Sequence, residues 1–262
     1  MKCGLDSKQL CKLFKPMQTC LRLKFLNLSE NNFNKSEEGS NLLAETLRNL
    51  DYLEIIGLNN CMIGSEGIKK ILDALKNKSN LTEIYIAFND ITEAFSTYFN
   101  NEYAKYFIPL KALSLANNSI KEKGAENLSY FLRNKLNIQY LRIGGNKIKA
   151  KGLEFIINSL KGKGKLKDLD VGNNDLQDEG AKIVENYLDQ NNKTLEYLNI
   201  MKNEISEERI IAILSILKKQ PIQCKINVFG NKAKDENIQQ FFTSSRHPPS
   251  KNPGIPPPQQ YI

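Results

Sequence analysis

The chain holds a single histidine, His247, and it stands in a proline-rich stretch with no cysteine or carboxylate pattern around it. Ser-His-Asp and Cys-His nucleophile systems need an imidazole held in a rigid pocket, so the expectation is a protein without catalytic residues of that kind. A metal site is equally unsupported, because the usual nitrogen and sulfur ligand spacings are missing. Cysteine pairing is absent too: Cys3, Cys11, Cys20, Cys61 and Cys224 are odd in number, scattered and never in a C-x-x-C arrangement. That usage predicts reduced thiols and a cytoplasmic setting. No stretch approaches the roughly 18 apolar residues of a membrane helix, and no apolar region with a small-residue cleavage site opens the chain, so neither a membrane nor a secreted location is expected. There is no Walker loop, since the Gly162-Lys163-Gly164-Lys165 run has no Ser or Thr after its lysines and reads as a helix-to-strand connection. No cofactor is expected. Arginine is scarce, with six against 31 lysines, and asparagine also numbers 31. An AT-rich genome produces that bias, which weakens the net charge of +8 as a nucleic-acid signal.

What the sequence does contain is a repeat. Leu, two variable residues, Leu, one variable, Leu, two variable, then Asn occurs at Leu23, Leu26, Leu28 and Asn31, and returns at Leu53, Ile56, Leu58 and Cys61. The frame continues at Leu81, Ile84, Ile86 and Asn89, then Leu110, Leu113, Leu115 and Asn118, then Ile138, Leu141, Ile143 and Asn146. Leu166, Leu169, Val171 and Asn174 follow, then Leu195, Leu198, Ile200 and Asn203, and a degraded copy at Gln223, Ile226, Val228 and Asn231. Successive copies lie 28 to 30 residues apart, giving eight repeats. The Leu-x-Leu alternation is a short strand with its apolar residues turned inward. The Asn can satisfy turn backbone, so that successive copies form a ladder. Gly67, Gly124, Gly152 and Gly180 stand six residues past that position, followed by apolar residues at helical spacing such as Ala125, Leu128 and Leu132.

This period resembles that of the ribonuclease-inhibitor-like leucine-rich repeats over about residues 20–242. The resemblance implies an α/β leucine-rich-repeat solenoid, a horseshoe with a parallel concave sheet and convex helices, and a role in protein recognition. An end repeat would expose its core, so residues 1–22 are expected to be a helical N-terminal cap of the 23–231 solenoid and 232–242 a C-terminal one. Residues 243–262 read as a polyproline-prone extended tail, expected to dock on a neighbouring subunit.

Residues flanking the strand leucines should project from the concave face. The first column is Phe25, Ile55, Glu83, Ala112, Tyr140, Asp168, Tyr197 and Lys225; the second is Asn27, Gly57, Tyr85, Ser114, Arg142, Asp170, Asn199 and Asn227. The third runs Ser29, Asn59, Ala87, Ala116, Gly144, Gly172, Met201 and Phe229. Small residues floor the middle, and aromatic, Met and Arg side chains rim it, the composition of interface hot spots. The expected protein-binding residues are Tyr85, Tyr140, Arg142, Asp168, Asp170, Tyr197, Asn199, Met201 and Phe229, with Arg142 beside Asp170 across neighbouring strands read equally as a partner contact or as a plain surface ion pair. Strand propensity alone also accounts for exposed Tyr and Phe.

In the third repeat Phe95 replaces the usual Gly, and Tyr98 and Tyr106 join it as an expected secondary docking patch, with compensatory packing as the rival reading. Lysines collect where helices end, at Lys76, Lys78, Lys135, Lys161 to Lys167, Lys218 and Lys219, either as helix-dipole partners or as a basic edge facing an acidic surface such as tubulin. Stacking aromatics are not interleaved with them, which argues against nucleic acid. The expectation for function is a non-catalytic scaffold bound to other proteins of a large complex, cytoskeletal or in a cilium axoneme. The alternative is a GTPase activator resembling the Ran-activating proteins, whose acidic C-terminal region has no counterpart in this basic, proline-rich one.

Overall fold

A computed structural model describes residues 4–93, 98, 110–190, 194–220, 223–234, 236 and 238. Its eight strands form one parallel sheet in sequence order: β1 (Phe25–Asn27), β2 (Ile55–Gly57), β3 (Glu83–Tyr85), β4 (Ala112–Ser114), β5 (Tyr140–Arg142), β6 (Asp168–Asp170), β7 (Tyr197–Asn199) and β8 (Lys225–Asn227). The register places the second frame residue of each repeat beside its counterpart, Leu113 against Leu141 and Leu141 against Leu169. The helices described are α1 (Ser7–Met17), α2 (Glu37–Arg48), α3 (Gly64–Leu75), α4 (Lys121–Arg133), α5 (Lys149–Leu160), α6 (Gln177–Asp189) and α7 (Glu207–Lys219). This is an α/β leucine-rich-repeat solenoid. One continuous apolar core lies between the sheet and the helix layer, built from the frame residues and from helix residues such as Leu128, Leu132, Leu153 and Ile156.

Asparagine holds the strand exits together. Asn174 Nδ2 donates to the carbonyls of Ile143, Val171 and Gly172, at 3.0, 3.1 and 3.3 Å. Its Oδ1 accepts from the backbone N–H of Asn146 at 2.9 Å and of Ile148 at 3.4 Å. Asn89, Asn118, Asn146, Asn203 and Asn231 repeat the pattern. At Cys61 the thiol donates to the Leu28 carbonyl instead, and burial pushes it up to about 11. At the N-terminal end the Leu5 N–H takes the oxygen of Asn31, and α1, closed by a reciprocal Asp6–Gln9 capping box, buries Leu10 and Phe14, the latter stacked on Phe33.

The glycines early in the helices are there for want of space. A Cβ on Gly67 would stand 2.5 Å from Ser40 Oγ, and one on Gly152 would stand 3.0 Å from the Cβ of Ala125. Neighbouring helices could not approach as they do with a side chain there.

Candidate functional site

The register sets out the concave columns, with Asp168 between Tyr140 and Tyr197, and Asp170 between Arg142 and Asn199. Tyr140 and Phe229 are exposed, at 40% and 58%, while Tyr85, Arg142, Asp170, Tyr197 and Met201 are half-buried, and Asp168 and Asn199 are buried.

The ion pair differs from expectation. Arg142 bonds Asp168, not Asp170, with Nη2 to Oδ2 at 2.7 Å and Nε to Oδ1 at 3.4 Å. The long arginine leans diagonally along the sheet, and the carboxylate of Asp170 is drawn away by its own backbone: Oδ1 accepts from the Gly172 N–H at 3.0 Å and from Asn199 Nδ2 at 2.8 Å. The same turn recurs in this column, where Asn27, Asn199 and Asn227 accept from the N–H two residues on, at 3.0, 3.1 and 3.1 Å. Burial pushes the Asp170 carboxyl up to about 6, with the charge of Asp168 adding to the rise, against the Gly172 N–H, Arg142 and Asn199. Tyr85 donates its hydroxyl to Glu83 at 2.6 Å. Asp168 and Asp170 thus lie together, one clamped by arginine and one half-held by backbone. No group of three His, Cys, Asp or Glu that could hold a metal ion occurs among the described residues.

Of the expected docking patch, Tyr98 packs half-buried against the hydrophobic core with Lys69 Nζ 5.8 Å from its ring centroid. Phe95, Tyr106 and the 243–262 tail lie outside the described residues. The basic edge is partly structural: Lys78 is buried and donates to the Arg48 carbonyl at 2.7 Å and to Asp51 at 2.8 Å, and Lys163 donates to the Leu132 carbonyl. Gln220 does the same for Leu188 at 2.6 Å. Each closes the C-terminal end of the preceding repeat's helix. Lys135, also buried, lies 4.8 Å from the Phe131 ring centroid, and burial pulls its ammonium down to about 8, as it does for Lys163. The signal was in the sequence, because Lys78, Lys135, Lys163 and Gln220 all stand three residues before the first frame position.

Sequence reasoning missed Met62 and Phe88, both large, exposed and in left-handed backbone, with φ of 51° and 55°. Asn60, Asn117, Gly145, Asn173 and Gly230 occupy five equivalents of Phe88, as a left-handed turn favours, and Glu30 and Lys202 the other two. An exposed phenylalanine in that conformation gains nothing for the fold.

The frame, the single parallel sheet and the asparagine ladder give the fold of a leucine-rich-repeat solenoid. A leucine-rich-repeat family model matches residues 134–156, 165–182 and 191–213. No curated protein matches the sequence. Among solved structures, the chain is similar to a Bacteroides fragilis protein at 17% identity and TM-score 0.56, covering 88% of this chain and 64% of that one. It also aligns with an internalin, InlF, of Listeria monocytogenes (17% identity, TM-score 0.49, 86% and 67% covered). A third alignment is with the yeast Rad7 and Elc1 complex (13% identity, TM-score 0.48, 90% and 66% covered). The likeness to the Bacteroides fragilis protein is one of fold, and the chain spans about two thirds of the length of each of these proteins.

Proposed function

We propose that the chain is a non-catalytic protein-interaction scaffold that binds its partner on the concave sheet, in the manner of ribonuclease-inhibitor-like repeats. The observation that carries this reading is the open sheet face of β3 to β7. Tyr140 stands exposed there on the same strand as Arg142, with Asp170 and Tyr197 on the next two strands, above a floor of Gly144 and Gly172, on rigid strands that hold these side chains at fixed spacing. Among the described residues no helix is long and apolar enough to cross a membrane. We place the protein in the cytoplasm, as a structural subunit of a large cytoskeletal or axonemal assembly.

The test is purification of the complex with a Tyr140→Ala, Tyr197→Ala double variant and with Arg142→Glu. Both are expected to lose the co-purifying protein, the double variant with its melting temperature unchanged and Arg142→Glu with a lower one, because Asp168 loses its partner. Retention of that protein by both variants would move the binding surface off the concave face. A single-turnover GTP hydrolysis assay addresses the Ran-type alternative, and acceleration of a small GTPase would overturn the scaffold reading.

A further inference from the structure

On strands β3 to β7 the outward side chains include three carboxylates, Glu83, Asp168 and Asp170, and one cation, Arg142, although the whole chain carries a net charge of +8. Glu83 accepts the Tyr85 hydroxyl and Asp168 has taken the arginine. Asp170 is left with an ionised group whose Oδ2 bears no hydrogen bond or ion pair among the described residues.

The fold contains its own control for what Asp170 does structurally. Asn27, Asn199 and Asn227 make the same bond to the N–H two residues on with a neutral amide. The turn therefore does not require a charge at this position, and placing one beside Asp168 in a half-buried setting works against the free protein. A carboxylate that the fold tolerates without needing is accounted for by a cation arriving from outside.

Resting on the docking reading above, we propose that Asp170 receives a lysine or arginine side chain of the protein that docks on the concave sheet. Gly144 opens the approach, since a Cβ there would stand 2.9 Å from Asp170 Oδ1. Arg142 and Asn199 flank Asp170 on the strands to either side, and Tyr140 and Tyr197, which flank Asp168 in the neighbouring column, stand where the aliphatic stem of such a side chain would lie. The basic remainder of the molecule repels a cationic segment, so the concave acid also sets its orientation.

The experiment is selection of a displayed random-peptide library on the full chain at pH 7.5, followed by Kd measurement on synthetic peptides. Enriched peptides are expected to carry Lys or Arg at one fixed position. Replacing that residue by norleucine or citrulline should weaken binding roughly ten-fold or more, and Asp170→Asn should cause the same loss. In the Asp170→Asn protein the two peptides should bind alike, and the variant should melt no lower than the wild type. The charged and titratable groups facing Asp170 are Arg142 of β5, Asp168 of β6 and Tyr197 of β7, and burial raises the Asp170 carboxyl towards neutrality, to about 6. Binding should accordingly weaken between pH 7 and pH 5 in the wild type and not in Asp170→Asn. Peptides that lose affinity with Tyr140→Ala and Tyr197→Ala but show no preference for a cation would overturn this inference and leave concave docking standing. Peptides indifferent to all three substitutions, or no binders at all, would overturn both.

Discussion

Asn174 shows how much one side chain carries in this architecture, because five backbone groups from two repeats converge on its amide. An Asn174→Ala variant should lose about 2–4 kcal/mol, since the buried N–H and C=O groups would find no substitute partner. Urea unfolding at neutral pH measures this, and a loss under about 1 kcal/mol would mean that water enters the turn and replaces the amide. Phe88 lies at the other extreme, exposed and left-handed where five of the other repeats use Asn or Gly. Phe88→Asn should raise stability by about 1 kcal/mol in thermal melts of the isolated protein. Were the variant to melt lower, the phenyl ring would be packing on the repeat edge rather than resting in solvent.

At the scale of elements, strands of three residues do not stand alone, and each is fixed by the frame residue it turns inward. Leu141 and Leu169 are fully enclosed at the centre of the stack, and Leu141→Ala or Leu169→Ala should cost about 2–5 kcal/mol through the cavity left behind. Tyr140→Ala, one residue away on the open face, should cost under about 1 kcal/mol. Equilibrium unfolding that ranked these the other way round would contradict the alternation itself. The same alternation made the concave columns legible in the sequence, including Tyr140, Tyr197 and Asp170. It could not show that Arg142 would choose Asp168. That choice depends on the length of the guanidinium arm and on the Gly172 N–H already holding Asp170, neither of which is a matter of period.

For the whole molecule, two opposed titrations bracket neutrality. The Asp170 carboxyl sits at about 6, above the ordinary aspartate range, so the folded state holds more protons than the unfolded chain from about pH 4 to 6. Stability from this group is present at low pH and lost as pH rises through 6. Lys135 and Lys163 sit at about 8, below the ordinary lysine range, so the unfolded chain holds more protons from about pH 8 to 10, and stability should rise with pH across that window. Urea midpoints should therefore climb from pH 7.5 to 9.5 in the wild type and climb less in Lys135→Met. In Asp170→Asn the component falling between pH 4 and 6 should be reduced. A midpoint that drops from pH 7.5 to 9.5 in the wild type would place these ammonium groups in solvent.

The eight-fold frame, its 28 to 30 residue period and the side of each strand that faces the core were determined by the sequence alone, because strand alternation and helix spacing are local properties of the chain. Tertiary structure decided what depends on groups about one repeat away: which acid takes Arg142, which carbonyls of a preceding helix Lys78 and Lys163 reach, and how the third repeat seats Tyr98 against the core. A side chain's partner across the stack is selected by reach, competing backbone bonds and the space that glycines such as Gly144 and Gly152 leave open. Those quantities exist only once neighbouring repeats have been brought together.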